Sequence, residues 1–201
     1  MEYLLIVLGA YLIGSSNLAF YLSKITKKDF RKHGSGNLGA SNAMLLLGWG
    51  AAVAVGIHDI GKGILAVLLA KWIFPSAEYA GVVAGAACVL GHIFPFYLKF
   101  KGGKGLASYI GILAALDIRV ALVASAVLIL VTLITDYIVI GTMTTITLGP
   151  TALLFHQGWL VALILVAVSV VITVKHWENF RRIRNKTEPG LRGGSKGKYR
   201  V

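Results

Sequence analysis

"AMLLLGWGAAVAVGIHDIGKGILAVLLAKWIF", residues 43–74, runs for 32 residues with only Asp59, Lys62 and Lys71 charged. As one helix it would measure about 48 Å at 1.5 Å per residue. The hydrocarbon core of a bilayer is only about 30 Å thick. The stretch therefore crosses a membrane and must tilt, break or extend beyond the core. Similar runs cover residues 3–22, 79–98, 137–155 and 159–174. The 201-residue chain is 57% hydrophobic and 14% charged, with a mean hydropathy of +0.77. A soluble domain rarely has that composition, so the expected class is an all-α, polytopic membrane protein.

The formal net charge is +12, which in a soluble protein would suggest nucleic acid. Here the cations flank the apolar runs, so orientation explains them and no nucleic-acid partner is expected. All Lys and Arg except Lys62, Lys71 and Arg119 fall in three clusters: residues 24–32, 99–104 and 175–200. The positive-inside rule places all three in the cytoplasm. Residues 43–74 must then make one net crossing, with an expected bend near "GIHDIGKG", residues 56–63. Residues 105–135 must cross twice, with an external turn at Asp117 and Arg119. Seven net crossings result, amino terminus outside and carboxy terminus inside, with a short span after Gly105 and broken helices near the cytoplasmic face. Met1-Glu2 offers no basic region before the first apolar run, so that segment is expected to stay as a span. Cys88 is the single cysteine. It allows no intrachain disulfide, and no His/Cys/carboxylate group has ligand spacing, so neither a metal nor another cofactor is implied. Residues 1–188 are expected to form one membrane domain and 189–201 a basic flexible tail.

"KHGSGNLGASN", residues 32–42, contains Gly34, Gly36 and Gly39 in dinucleotide-fingerprint spacing, with Asp59 twenty residues further on. A strand should precede such a fingerprint, but "KITKKDFRKH" is a charged connector. In "KFKGGKGLAS", residues 99–108, a P-loop would need Gly at 98 and Ser or Thr at 105; the chain has Leu98 and Gly105. Both loops nevertheless combine glycines, small polar residues, cations and a following helix start, which is an anion-binding layout. Ser35, Gly36, Asn37 and Asn42 in the first loop, and Gly102, Gly103, Lys104 and Gly105 in the second, are the candidate phosphate ligands. Two helix-capping turns are the competing reading. His92, and the group His58, Asp59 and Lys62, lie where a membrane makes polar residues costly; for the latter group an ion network supporting the bend competes with a functional role. His176, Asn179 and Arg182 recur at i, i+3 and i+6 and can share one helix face.

Taken together, "GSGNLGASN", "GHIFPFYLKFKGGKGLAS" and "HWENFRRIRNKTE", residues 34–42, 91–108 and 176–188, resemble the three cytoplasmic motifs of the bacterial acyl-phosphate:glycerol-3-phosphate acyltransferase family. The resemblance implies a multi-pass enzyme of the bacterial inner (cytoplasmic) membrane with its site facing the cytoplasm. The reaction it implies moves a fatty acyl group from acyl phosphate to glycerol 3-phosphate, giving lysophosphatidate and phosphate. Its partners are then acyl phosphate, glycerol 3-phosphate and membrane lipid. Two positions depart from the family pattern: Asn17 stands where Pro is common, and Lys186 where Gly is common. The H-x-x-x-x-D acyltransferase pair is absent, since the residues five after each histidine are Leu38, Gly63, Tyr97, Val161 and Arg181.

With this chemistry, Ser35, Gly36, Asn37, Gly103 and Lys104 are assigned to the donor phosphate, and His176, Asn179 and Arg182 to the glycerol phosphate. Three groups could take the hydroxyl proton: His92, His176 or the donor phosphate itself. A membrane carrier for phosphate or an organophosphate is the rival reading. Such a carrier predicts internal repeats and half-helices near the midplane, and no repeat is visible.

Overall fold

The structure, a computed structural model, describes residues 1–194, and the described residues form helices and no strand. They divide into two compact units, one ending at Leu116 and one beginning at Asp117.

In the first unit, α1 (Glu2–Ser15) and α2 (Leu18–Ile25) form one broken span. Asn17 makes the break: its side chain accepts from the Phe20 N–H at 2.8 Å, capping α2. A loop leads to α3 (Ala40–Leu47), and Gly48, at φ +86°, separates it from α4 (Trp49–Ile73). Next come α5 (Ala80–Ile93), a 3₁₀ turn (Phe96–Leu98) and α6 (Leu106–Leu116). The bend expected at residues 56–63 is corrected. The chain breaks at Gly48, where glycine reaches a left-handed φ cheaply, and α4 continues through His58, Asp59 and Lys62 because those side chains find partners without interrupting the helix.

Small residues set the helix spacing. A Cβ at Gly63 of α4 would stand 2.4 Å from the Ser108 carbonyl of α6, and one at Gly111 of α6 would stand 2.2 Å from the Ile60 carbonyl of α4. The α1–α5 contact is built the same way at Gly14 and Gly91.

The second unit holds α7 (Ile118–Thr135), α8 (Ile138–Gln157), α9 (Trp159–Lys175), α10 (Trp177–Arg184) and a last turn, α11 (Leu191–Gly194). Asp117 caps α7 by accepting from the Arg119 N–H at 2.9 Å, and that bond holds its carboxyl below the usual carboxylate range. The sequence placed a turn at this residue. Between α8 and α9, Ser169 Oγ donates to the Ile146 carbonyl at 2.8 Å. The α7–α8 turn is closed by Asp136 at φ +70°. Its backbone carbonyl accepts from the Leu191 N–H at 2.9 Å and its carboxylate from the Arg192 N–H at 2.8 Å, while the Arg192 guanidinium donates to the Leu133 carbonyl at 2.6 Å. These bonds tie Leu191 and Arg192, within the expected tail from 189, to the α7–α8 turn; residues 195–201 of that tail lie outside the described residues.

Among the described residues, five helical spans are long and apolar enough to cross a bilayer, with a sixth if α9 and α10, which meet at a 45° bend, count as one span. The helix α6, at 11 residues, spans about 16 Å and is shorter than the core by itself. Leu4, Leu8 and Leu12 of α1, Ile57 and Leu68 of α4, and Leu122 and Leu130 of α7 face outward. Trp49, Trp72, Trp159 and Trp177 stand exposed within a turn of a helix end, as interfacial anchors do. The protein is a multi-pass membrane protein.

Candidate active site

The first glycine loop is built around Asn42. This fully buried side chain accepts from the Ser35 N–H at 2.8 Å and donates to the carbonyls of Phe30 at 2.8 Å and His33 at 3.2 Å. Both amide hydrogens are engaged, so Asn42 shapes the loop and has no N–H left for a ligand. A Cβ at Gly34, itself at φ +63°, would lie 2.2 Å from Asn42 Oδ1. Phe30, fully buried, anchors the loop from beneath. Ser35 and Asn37 are left half-buried and Gly36 exposed at its rim.

The second loop packs against the end of α5. The N–H groups of Gly102 and Gly103 donate to the carbonyls of Ile93 at 3.0 Å and His92 at 3.1 Å. The expectation that these two N–H groups cradle an anion is corrected: they satisfy carbonyls that the helix end would otherwise leave unpaired. What their missing side chains provide is space. A Cβ at Gly103 would stand 2.0 Å from His92 Nε2 and 2.9 Å from the Leu38 carbonyl, so here the two loops touch. Asn17 donates to that same carbonyl at 3.2 Å. Lys104 follows, half-buried, and Gly105 at φ +97° opens α6.

Behind this contact lies a buried polar cluster. His92 of α5 and Asp59 and Lys62 of α4 are each no more than 5% exposed. Lys62 Nζ lies 2.9 Å from Asp59 Oδ1, 2.8 Å from His92 Nδ1 and 2.7 Å from the Ser16 carbonyl. His58 Nδ1 lies 3.2 Å from Asp59 Oδ1, and its Nε2 is 3.0 Å from Ser16 Oγ. The sequence singled out His58, Asp59 and Lys62 as a group, but not their junction with His92. An ionisable pair inside a span was the available signal.

In the second unit, His176 sits at the bend between α9 and α10, 5% exposed. Its Nδ1 is 2.8 Å from the Ile172 carbonyl, which can only accept, so Nδ1 carries a proton. Asn179 and Arg182 do share a face. Between them they hold the Glu188 carboxylate, with Asn179 Nδ2 at 2.5 Å from one oxygen and Arg182 Nε at 2.6 Å from the other. Glu188 was read only as the end of a motif. Its part as an internal anion on the Asn179 and Arg182 donors depends on the fold that returns it to α10. Lys186, in the loop that returns Glu188 to the helix, has φ +56°.

Comparison with known proteins decides what this arrangement belongs to. Residues 4–186 match the family model for glycerol-3-phosphate acyltransferase. The chain belongs to the glycerol-3-phosphate acyltransferase family. A glycerol-3-phosphate acyltransferase of Pelagibacter ubique (strain HTCC1062) is 37% identical over 189 residues, covering 94% of this chain and 97% of the relative. One from Halalkalibacterium halodurans is 38% identical over 194 residues, covering 93% and 94%. Among solved structures, the glycerol 3-phosphate form of PlsY, an integral membrane glycerol 3-phosphate acyltransferase, superposes with a TM-score of 0.89 at 30% identity over 95% of this chain and 96% of that one. Its lysophosphatidic acid form gives a TM-score of 0.86. This acyltransferase is therefore of the PlsY type. Its glycine loops, buried His92 cluster and Glu188 clamp all lie within the matched residues or just after them. For an acyltransferase the layout is serviceable: cations and small polar groups at the rim of unit one, and imidazoles held by fixed partners in both units.

Proposed function

We propose that this acyltransferase moves a fatty acyl group from acyl phosphate to glycerol 3-phosphate, giving 1-acyl-glycerol 3-phosphate and phosphate. Residues 1–188 act as one catalytic domain in the bacterial inner membrane, crossing seven times with the amino terminus outside and the site facing the cytoplasm. The solved PlsY structures, with their glycerol 3-phosphate and lysophosphatidic acid forms, support the acceptor and the product.

The observation that carries the reading is the contact of the two glycine loops at Gly103 and Leu38, with Lys104 next in the chain. Ser35, Gly36, Asn37 and Lys104 offer hydrogen bonds and a charge to the donor phosphate, with Gly102, Gly103 and Gly105 shaping the loop and Asn42 holding the facing one. His176, Asn179 and Arg182 serve the glycerol phosphate. The hydroxyl oxygen attacks the acyl carbonyl, the acyl–phosphate C–O bond breaks, and phosphate leaves. Neutralising phosphate repulsion and positioning the hydroxyl supply most of the rate. The proton goes to His92, His176 or the departing phosphate.

Purified full-length protein in detergent, given glycerol 3-phosphate with either acyl phosphate or acyl-CoA, tests this. Lysophosphatidate should form with acyl phosphate alone. Comparable turnover with acyl-CoA would remove the donor assignment.

A further inference from the structure

The Lys62 ammonium has three N–H bonds and three acceptors within 3 Å: the Ser16 carbonyl at 2.7 Å, Asp59 Oδ1 at 2.9 Å and His92 Nδ1 at 2.8 Å. Two of these can only accept. The third meets the requirement of a buried ammonium, that every N–H be bonded, only if Nδ1 presents a lone pair. The alternative, Nδ1–H donating to Asp59, has a longer separation of 3.4 Å. That oxygen also faces Lys62 and His58, at 2.9 and 3.2 Å. His58 in turn has Nε2 available to accept from Ser16 Oγ at 3.0 Å. Every group then has a consistent role with His92 neutral and its proton on Nε2.

That nitrogen faces the second glycine loop. The Cβ that Gly103 lacks would stand 2.0 Å from it, so only a glycine lets the loop backbone come this near the N–H. Lys104 adjoins it in sequence.

We infer that Lys62, with Asp59, is a positioning residue that locks His92 as its Nε2–H tautomer, and that His92 donates through this hydrogen to an anionic oxygen of a phosphate-class ligand at the 102–104 loop. His92 is then a hydrogen-bond donor in the reaction and not its base. The inference rests on the acyltransfer reading for the identity of the ligand, but the lock itself does not.

Full-length protein carrying ¹⁵N-histidine, in detergent at neutral pH, reports the tautomer directly, with His92 assigned by its loss in His92→Gln. Nδ1 should show the shift of an unprotonated nitrogen and Nε2 that of a protonated one. The paired variant Asp59→Asn/Lys62→Met keeps the cluster neutral, and in it the pattern should be lost. A protonated Nδ1 in the wild type overturns the lock, as does an unchanged pattern in a folded paired variant. If the paired variant does not fold, the wild-type spectrum decides.

For the donor role, His92→Gln keeps an N–H near the Nε2 position without basicity and should retain kcat/KM within about tenfold of wild type. His92→Leu should fall at least about tenfold further. Equal loss in both overturns the donor role. A wild type with the lock but no lysophosphatidate would support the lock and count against the acyltransfer reading.

Discussion

Gly103 lies against the ring of His92 so closely that a Cβ there would stand 2.0 Å from Nε2. Because it would also stand 2.9 Å from the Leu38 carbonyl, an added methyl group can be relieved only by moving the imidazole or parting the two loops. Gly103→Ala should therefore cost about 1–3 kcal/mol of stability and lower kcat/KM. Gly56→Ala, in open space on α4, is the control; thermal melting and turnover of both variants in detergent check the claim. Equal behaviour of the two would show that the loop contact is loose.

Lys104 is the cation placed next to that contact. Removing a charge-assisted contact is worth about 1.5–3 kcal/mol, so Lys104→Ala should reduce kcat/KM by about tenfold or more without unfolding the protein. Lys28 is an exposed connector cation whose Nζ reaches only the Leu46 carbonyl at 3.5 Å, and Lys28→Ala should leave turnover near normal. Near-normal turnover of Lys104→Ala would make the loop a capping turn.

Glu188 fixes the Asn179 and Arg182 side chains at 2.5 and 2.6 Å. In Glu188→Ala these two donors lose the group that orients them, and a half-buried guanidinium loses its counter-charge. We expect a rise in KM for glycerol 3-phosphate that exceeds any fall in kcat, together with about 1–3 kcal/mol of destabilisation. A loss confined to kcat would argue against a positioning role.

Lys186 occupies a left-handed backbone conformation, φ +56°, at a position where glycine is the residue suited to it. Lys186→Gly should relieve the strain and, after the greater freedom of the unfolded chain is deducted, stabilise the protein by about 0.5–1 kcal/mol. Its side chain is exposed, so kcat/KM should not change. A lower melting temperature would show that the side chain contributes more than the backbone loses.

The proposed topology is checked by single-cysteine labelling in a Cys88→Ala background. Position 76 should react with an impermeant reagent from outside intact cells, and positions 28, 101 and 178 should not. Labelling at 28 or 101 would overturn the orientation.

Membrane class and the turn at Asp117 were legible because they depend on run length, charge and residue type alone, and the three motif segments because together they resemble a family pattern. The break at Gly48 was not. Residues 43–74 contain several glycines, and only packing selects which of them adopts a positive φ. Nor could the sequence show that Gly102 and Gly103 turn their N–H groups inward, because a glycine pair reads alike whether it admits a ligand or a neighbouring ring. The role of Lys62 depended on partners 46 residues before it and 30 after it in the chain. Seen from sequence, it belonged to the group His58, Asp59 and Lys62, for which an ion network and a functional role both stood open.

The pairing of Asp59 with Lys62 also bears on how this protein is made. The two are three residues apart on one helix, so α4 carries its own counter-ion before α5 has left the ribosome. Each charge alone would add about 2.5–3.5 kcal/mol to the insertion of a helix. Joined, they enter the bilayer as a dipole, and the translocon meets a nearly neutral segment. The ammonium that later faces His92 thus reaches the membrane interior already chaperoned by its own helix.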